Sequence, residues 1–435
     1  VRQPGFGRRR PNCYRAAMLA TLGRLIAAAF LAATAATPAL AACRGDCNGS
    51  GSVTVDEVVV AVNVALGAAT LDACAAADVD GDRAVTVDEI IAALDDALEG
   101  CRSAATPTPV PFEPFPFADE LADPRTDRLC VEADDPDAAA DTTFIDCAVE
   151  GASFIPAPAP PKDEITVVAY NILRGFEVDA QLAAIAAGDI PTPDVLLLSE
   201  ADRGCRRTDF RNVARDYAEA LGLSFVFATE FVELPSRRGP TGPYDPPLCE
   251  HGNAILARYP LGNVRAIRHA ANRSWYTPPD FPDPDEPRLG GRIAVAADML
   301  VGDRVVRLYS LHFESTLSTL RIRDAQAVEI AADGADLGYP VVAGGDLNAF
   351  FARLDFQNGS ANDGATQAFF TRGYRDAHVG LPLAERDTIF DPVPLVIDFL
   401  FVRNADVLEA GLCPREHCGA LSDHLPVWAV LDLGD

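Results

Sequence analysis

The chain has 435 residues, 49% of them hydrophobic, and a formal net charge of −28. That length leaves room for two or three domains and at least one sizeable core. The acidic balance excludes a protein that holds nucleic acid by surface charge alone, because such binding needs a basic surface to displace counterions. A nuclease is not excluded, since a bound cation supplies local positive charge.

Residues 1–41 read as a signal peptide. Arg8, Arg9, Arg10, Arg15 and Arg24 precede or punctuate an apolar run from Leu25 to Ala33, and Ala39-Leu40-Ala41 is an A-x-A-type cleavage pattern. The run is shorter than the ~20 apolar residues of a membrane span. The expectation is an exported chain, secreted or periplasmic/cell-surface, with no stable transmembrane span after cleavage. The rival is a lipoprotein signal, Leu40-Ala41-Ala42-Cys43, with Cys43 lipidated. All cysteines but Cys13 follow the signal, an even set as a disulfide framework requires. Cys413 with Cys418 and Cys130 with Cys147 are the short-range candidates.

Residues 42–102 contain an internal repeat, Asp46 to Glu57 and Asp78 to Glu89, each copy running into an amphipathic helix. A calcium loop takes oxygen ligands at alternate positions and a bidentate Glu at position 12. The first copy offers Asp46, Asn48, Ser50, Thr54 and Glu57, with Gly51 at the turn. The second offers Asp78, Asp80, Asp82, Thr86 and Glu89, with Arg83 where glycine is usual. The pair resembles dockerin-type calcium repeats, which implies Ca²⁺ binding in a small all-α domain and attachment to a cell-surface or protein partner. Residues 103–162 are a Pro-rich linker, semi-rigid by composition, with a Cys130–Cys147 flap as an added candidate.

From 163 to 435 short β-branched and apolar runs alternate with helical stretches. Strands are expected at Ile165–Ala169, Val195–Leu198, Ser224–Ala228, Asn253–Ala257, Ile293–Met299, Val305–Leu311, Val341–Gly344, Val396–Val402 and Val427–Leu431. Helices are expected at Asp179–Ala187, Asn212–Leu221 and Thr319–Asp333. Many strands with fewer helices in one block mean an α/β fold of two packed sheets with helices outside.

Metal-assisted phosphoester hydrolysis needs carboxylates for a hard cation, an activated water and donors for developing charge. Polar residues at strand ends meet that description. Asn171 and Glu200 end two buried strands, His312 ends a third, and Gly-Asp346-Leu-Asn348 follows a fourth. Asp398 interrupts an apolar strand, and Ser422-Asp423-His424 precedes the last one.

In that order these motifs resemble the endonuclease/exonuclease/phosphatase superfamily, whose best-known members look like deoxyribonuclease I. The resemblance runs from about Ile165 to Leu431 and implies a four-layer α/β/β/α sandwich with Mg²⁺ (or Mn²⁺) as cofactor. It implies Glu200 as principal metal ligand, with Asn171 and Asp423 nearby. His424 would be general base or transition-state contact, oriented by Asp398. Asp346 would position or deprotonate water, Asn348 would donate to a phosphoryl oxygen, and His312 would bind phosphate or assist the leaving group. Glu250 is a candidate to orient His312, and Asn253 a structural hydrogen-bonder near the site. Arg323 and Gln326 read as structural, and His269, His378 and His417 as surface or core residues. The substrate is a phosphoester: a lipid headgroup or small phosphodiester ranks above DNA or RNA. The alternative of another class is an inactive binding domain. Substrate-choosing loops are expected at Val232–Leu248, with Arg237 and Arg238, and at Asn272–Arg288, with Trp275, Tyr276 and Phe281 exposed.

Overall fold

The computed structural model describes residues 43–79, 83–99, 110–130, 142–234, 249–276, 288–350, 352, 356–357, 360–361, 363–390 and 393–434. The signal segment, Asp80, Asp82, Arg237, Arg238 and Phe281 lie outside the described residues. The chain divides into two units, Val1–Ala104 and Ala105–Asp435.

The first unit pairs helices α1 (Val55–Ala65) and α2 (Val87–Glu99). Each follows a loop whose last carboxylate folds back onto the loop backbone. Glu57 accepts from Asn48 N at 3.2 Å and Thr54 N at 2.8 Å, and Glu89 accepts from Val79 N at 2.6 Å and Thr86 N at 2.7 Å. Asp46 accepts from Ser50 N at 3.0 Å and Gly51 N at 2.7 Å. Arg83 takes φ +72°, close to the +83° of Gly51, so the missing glycine is tolerated in the left-handed region at a steric cost. Cys47 bonds to Cys74, Cys43 is also disulfide-bonded, and Arg44 is paired with the buried Asp96.

The second unit opens with β1 (Glu150–Ser153) and β2 (Glu164–Arg174), then α3 (Val178–Ala187), β3 (Val195–Arg203), α4 (Val213–Leu221), β4 (Ser224–Glu233) and β5 (Cys249–Ala257). It continues through β6 (Leu261–Arg268), β7 (Arg288–Gly290), β8 (Ile293–Val301), β9 (Arg304–His312), α5 (Leu320–Ala335) and β10 (Val341–Asp346). A small hairpin, β11 (Phe356–Gln357) with β12 (Ser360–Ala361), leads to α6 (Gly364–Phe370) and β13 (Arg375–Asp376). The chain ends with β14 (Asp398–Arg403), β15 (Asp406–Leu412), the short α7 (Arg415–Cys418) and β16 (Val427–Asp432).

One sheet runs β1-β4-β5-β3-β2-β16-β15, with β7 also on β4; the other runs β13-β14-β10-β9-β8-β6. Period-two burial explains the layering. Ile165, Val167 and Ala169 of β2 face Val295, Ala297, Val306, Leu308 and Val342 of the second sheet. The alternate residues Val168 and Tyr170 face outward and pack with Val178 and Ile185 of α3 and Tyr217 of α4. On the far side α5 and α6 cover the second sheet, Ile330 and Phe369 meeting Tyr309 and Phe401. The result is the expected α/β/β/α sandwich. Cys130–Cys147 and Cys413–Cys418 pair as expected, and Cys205–Cys249 adds a third bridge.

Residues 110–130 and 142–162 depart from a plain linker. Pro114 bridges to Gly262, Phe115 and Phe117 pack against the core between the sheets, and β1 extends the first sheet alongside β4. Apolar side chains spaced between the prolines give this segment surface to bury. Among the described residues, no helix is long and apolar enough to cross a membrane.

Candidate active site

The second sheet lays three chemical groups in one row. Asp346, the last residue of β10, is paired with His312 of β9 on one side and Asp398 of β14 on the other. Gly345 must precede it: its φ is +142°, and a Cβ there would lie 2.1 Å from Leu311 O. Asn348 turns back with φ +50°, gives its backbone N–H to Asp346 Oδ1 at 2.8 Å and its amide to Phe313 O at 3.0 Å. Arg323 donates to Asn348 O at 2.8 Å, and Gln326 accepts from Glu314 N at 2.9 Å, so both shape the loops as expected.

The first sheet supplies Asn171 and Glu200. Between Leu198↔Ala254 and Ala201↔Gly252, two residues of β3 oppose one of β5, a β-bulge. Glu200 sits in it with φ +58°, which aims its carboxylate into the site. Asn253 lies opposite the bulge, and the next residue, Gly252, lets β5 pass close to β4, where a Cβ would lie 2.0 Å from Ala228 O. Asn171 Oδ1 accepts from Leu173 N at 3.1 Å. Its amide therefore faces inward, 3.3 Å from Glu200 Oε1 and 3.2 Å from Asp346 Oδ2. Asp423 stands exposed beside the site, Ser422 donating to it at 3.4 Å.

His424 and His312 are both buried and are held differently. Asp398 Oδ2 lies 2.8 Å from His424 Nδ1, so the carboxylate accepts that proton and Nε2 points inward, 3.7 Å from Asp346 Oδ2. His312 Nδ1 lies 2.7 Å from Nη1 of Arg292. A guanidinium can only donate, so Nδ1 is the acceptor and Nε2 carries the proton. That Nε2–H lies 3.5 Å from Asp346 Oδ2 and 3.9 Å from Glu200 Oε1. Arg292 is itself paired with the buried Glu230.

Charge follows geometry. Burial would depress His424, but Asp398 and Asp346 outweigh it and lift the imidazole well above its ordinary range. Burial, then Arg292, pushes His312 well below it. Burial would raise Glu200, but Arg174, His312, His251 and Arg292 hold it well below the carboxylate range. Burial lifts Asp346 to about 7, and burial with the nearby Glu200 raises Asp423. Asp346, Asp398 and His424 lie close enough together to hold a metal ion. Glu200 Oε2 accepts no hydrogen bond and lies 3.5 Å from Arg174. An acidic, oxygen-rich donor set of this kind suits a hard divalent cation.

Two expectations change. Glu250 does not orient His312: it accepts from Leu129 N at 2.8 Å, Cys130 N at 3.0 Å and Arg203 at 2.9 Å. Arg292 takes that place, with Glu230 Oε2 3.7 Å from the ring. Trp275 and Tyr276 are half-buried rather than exposed, and Arg273 stacks on the Trp275 ring at 3.5 Å. Asn253 donates to Ile293 O at 3.0 Å, as a structural hydrogen-bonder should. His269 and His378 are buried, and His417 pairs with Asp189 at the surface. The sequence reading missed Arg292, Glu230 and Arg174; the unusual charged residues within apolar strand sequence were the signal for Glu230.

The chain resembles an endonuclease/exonuclease/phosphatase from Beutenbergia cavernae, at 20% identity over 63% of this chain and 72% of that one, with a TM-score of 0.48. It resembles the human Nocturnin catalytic domain with bound sulfate, at 16% identity over 63% and 97%, with a TM-score of 0.44. It also resembles a humanized TDP2 from D. rerio, at 16% identity over 62% and 99%, with a TM-score of 0.39. No curated protein sequence matches the chain. The model of the Endonuclease/Exonuclease/phosphatase family matches residues 168–424, a span that holds every one of the strand-end groups above, and the chain belongs to that family.

Proposed function

We propose that this chain is an exported, divalent-metal-dependent phosphodiesterase, acting on lipid headgroups or small phosphodiesters in preference to nucleic acid. The observation that carries the catalytic part is the convergence of Asn171, Glu200, His312, Asp346, Asp398 and His424 on one rim of the sandwich. An inactive binding domain has no use for so many buried polar groups.

Glu200 would be the principal holder of Mg²⁺ or Mn²⁺, with Asp423 and Asn171 beside it. Asn171 would share the oxygen that already accepts from Leu173. The ion, when bound, offsets the negative charge that develops on the phosphoryl oxygens. The remaining steps belong to side chains. Asp346 Oδ2 lies 3.7 Å from His424 Nε2, and between them these two groups accept the proton of the attacking water. Asp398 fixes the His424 tautomer. His312 offers its Nε2–H to a phosphoryl oxygen or the leaving oxygen, and Asn348, which gives one amide N–H to Phe313 O, would donate the other to a phosphoryl oxygen. The water oxygen bonds to phosphorus as the ester oxygen departs and takes up a proton.

Excess EDTA should abolish turnover, and Glu200→Gln should fold yet lose its response to Mg²⁺. Full activity in EDTA would end this reading. The substrate ranking rests on the net charge of −28, a poor match for long duplex DNA. Nicking of supercoiled plasmid and hydrolysis of phospholipid vesicles, with one enzyme stock in Mg²⁺, decide it. Efficient nicking without vesicle or small-diester turnover reverses the ranking in favour of a secreted nuclease.

The first unit is proposed to bind Ca²⁺ through Asp46, Asn48, Ser50, Thr54 and Glu57 and through Asp78, Asp80, Asp82, Thr86 and Glu89, and to attach the enzyme to a partner. Matching exposed stripes support attachment: Val55, Val59 and Leu66 after one loop, Val87, Ile91, Leu94 and Leu98 after the other. A disulfide at Cys43 leaves no thiol there for a lipid, which supports export without a lipid anchor. Calcium titration followed by circular dichroism, with the Glu57→Gln/Glu89→Gln double variant as control, tests the loops.

A further inference from the structure

We propose that Arg203 and Glu150 are positioning residues for Glu200, so that the segment preceding the family region is a working part of the metal site. This rests on the reading of Glu200 as the metal carboxylate.

Glu200 stands in a left-handed backbone conformation, φ +58°. A non-glycine residue persists there only where the surrounding structure over-determines it. On its N-terminal side β3 is fixed by parallel pairing, Asn171 opposite Ser199. On its C-terminal side only Ala201, Asp202 and Arg203 remain before the strand ends, opposite Gly252, His251 and Glu250. Those last residues must hold the bulge open.

Asp202 anchors one face, accepting from Arg207 at 2.6 and 2.7 Å and lying 2.9 Å from His251 Nδ1. Arg203 anchors the other, 1% exposed. Its guanidinium donates to both oxygens of Glu150 at 2.9 and 3.0 Å, and to Glu250 and Asp127 O at 2.9 Å each. Glu250 in turn accepts from Leu129 N and Cys130 N, and Asn212, the N-cap of α4, donates to Glu150 at 2.6 Å. Four of these partners, Asp127, Leu129, Cys130 and Glu150, precede residue 168, where the family region begins. The Cys130–Cys147 bridge ties their two stretches together. A buried bidentate arginine has little freedom to move. Loosening its fork lets the tip of β3 relax toward ordinary extended backbone, and the Glu200 carboxylate then turns from the site.

The test measures Mn²⁺ binding to the full-length chain through the signal of free Mn²⁺ in electron paramagnetic resonance, without substrate. The catalytic component is what Glu200→Gln removes from the wild-type isotherm. Glu150→Gln and Arg203→Lys should weaken that component roughly tenfold or more, the scale of losing support around a ligand. The near-ultraviolet circular dichroism should stay unchanged, and kcat should recover at high Mn²⁺. A role in stability alone would lower the amplitude at unchanged affinity, and that outcome overturns the proposal. If Glu150→Gln unfolds, Arg203→Lys, which keeps the charge, decides by the same criterion. Glu150→Asp should restore part of the affinity. If wild type and Glu200→Gln bind identically, the reading of Glu200 itself fails, a result distinct from failure of the clamp.

Discussion

The two histidines of the site face the same cavity, yet the protein holds them by opposite means. His424 has a carboxylate behind it and is made a strong base; His312 has a guanidinium behind it and is kept neutral. The difference shows that burial does not by itself set what an imidazole can do. Desolvation presses on both rings in the same direction, and the charge on the far nitrogen decides the outcome. In the proposed mechanism one site thereby gains a proton acceptor and a fixed proton donor from a single residue type.

The largest effect should come from the basic side. His424→Ala and Asp346→Ala are each expected to lower kcat by ~10²-fold or more, the scale of losing a general base. Asp398→Asn should cost less, because the imidazole itself remains. A greater loss from Asp398→Asn than from His424→Ala would dissolve the pairing on which the comparison stands.

The second prediction separates the two rings by rescue. His312→Ala should cost about 10²-fold, the scale of one donor to developing charge. His312→Gln keeps an N–H and should recover much of the loss, whereas His424→Gln should recover nothing. Equal recovery at both positions would mean that both rings act alike.

The comparison can also be inverted. In Arg292→Met the cation behind His312 is gone and Glu230 is left facing the ring. His312 should then titrate like an imidazole held by a carboxylate, its pKa moving up, where the wild-type ring stays neutral to well below its ordinary range. Nitrogen-15 NMR of the ring reads this directly. Breaking the buried pair should also lower stability by about 3–5 kcal/mol, measured by denaturant unfolding. A ring that still does not titrate between pH 5 and 8 would make Arg292 irrelevant to it.

How much of this was legible in the sequence differs between the two sides. The strands and the polar residue at each strand tip follow from alternation and from polar interruptions of apolar runs, but the match of Asp398 to His424 comes only through the family resemblance. The cation behind His312 follows from neither. Arg292 lies in Gly-Gly-Arg, between β7 and β8, and reaches the ring only because β8 and β9 are antiparallel neighbours. Glu250 looked the better partner because sequence shows its charge but not its direction. In the strand it points away from the cavity, to Arg203. The same blindness hid β6 and β15, edge strands whose half-exposed faces carry little apolar signal, and the strand β1 within a segment read as linker.

The smallest effect belongs to a histidine outside the site, which serves as the control. Asp189 raises His417 at the surface. A pKa raised on folding contributes stability that is fully present below the unfolded value of ~6.5 and is lost as pH rises through the folded value. His417→Ala should therefore flatten a slight fall in Tm between pH 6 and 8, within the range of an exposed pair, with no change in turnover. A clear effect on kcat would show that the contrast is not confined to the two buried rings.

The short strand β1 has one more consequence, for the solubility of a shortened enzyme. It covers β4 from Ser224 to Phe227, while β7 covers Phe231 to Glu233. A fragment begun at residue 168 would be cut within β2 and would lack β1 altogether. The first half of β4 would then present a row of unpaired peptide groups, a template for pairing with another molecule. Such a fragment should self-associate through that edge, and a lysine on it should restore the monomer.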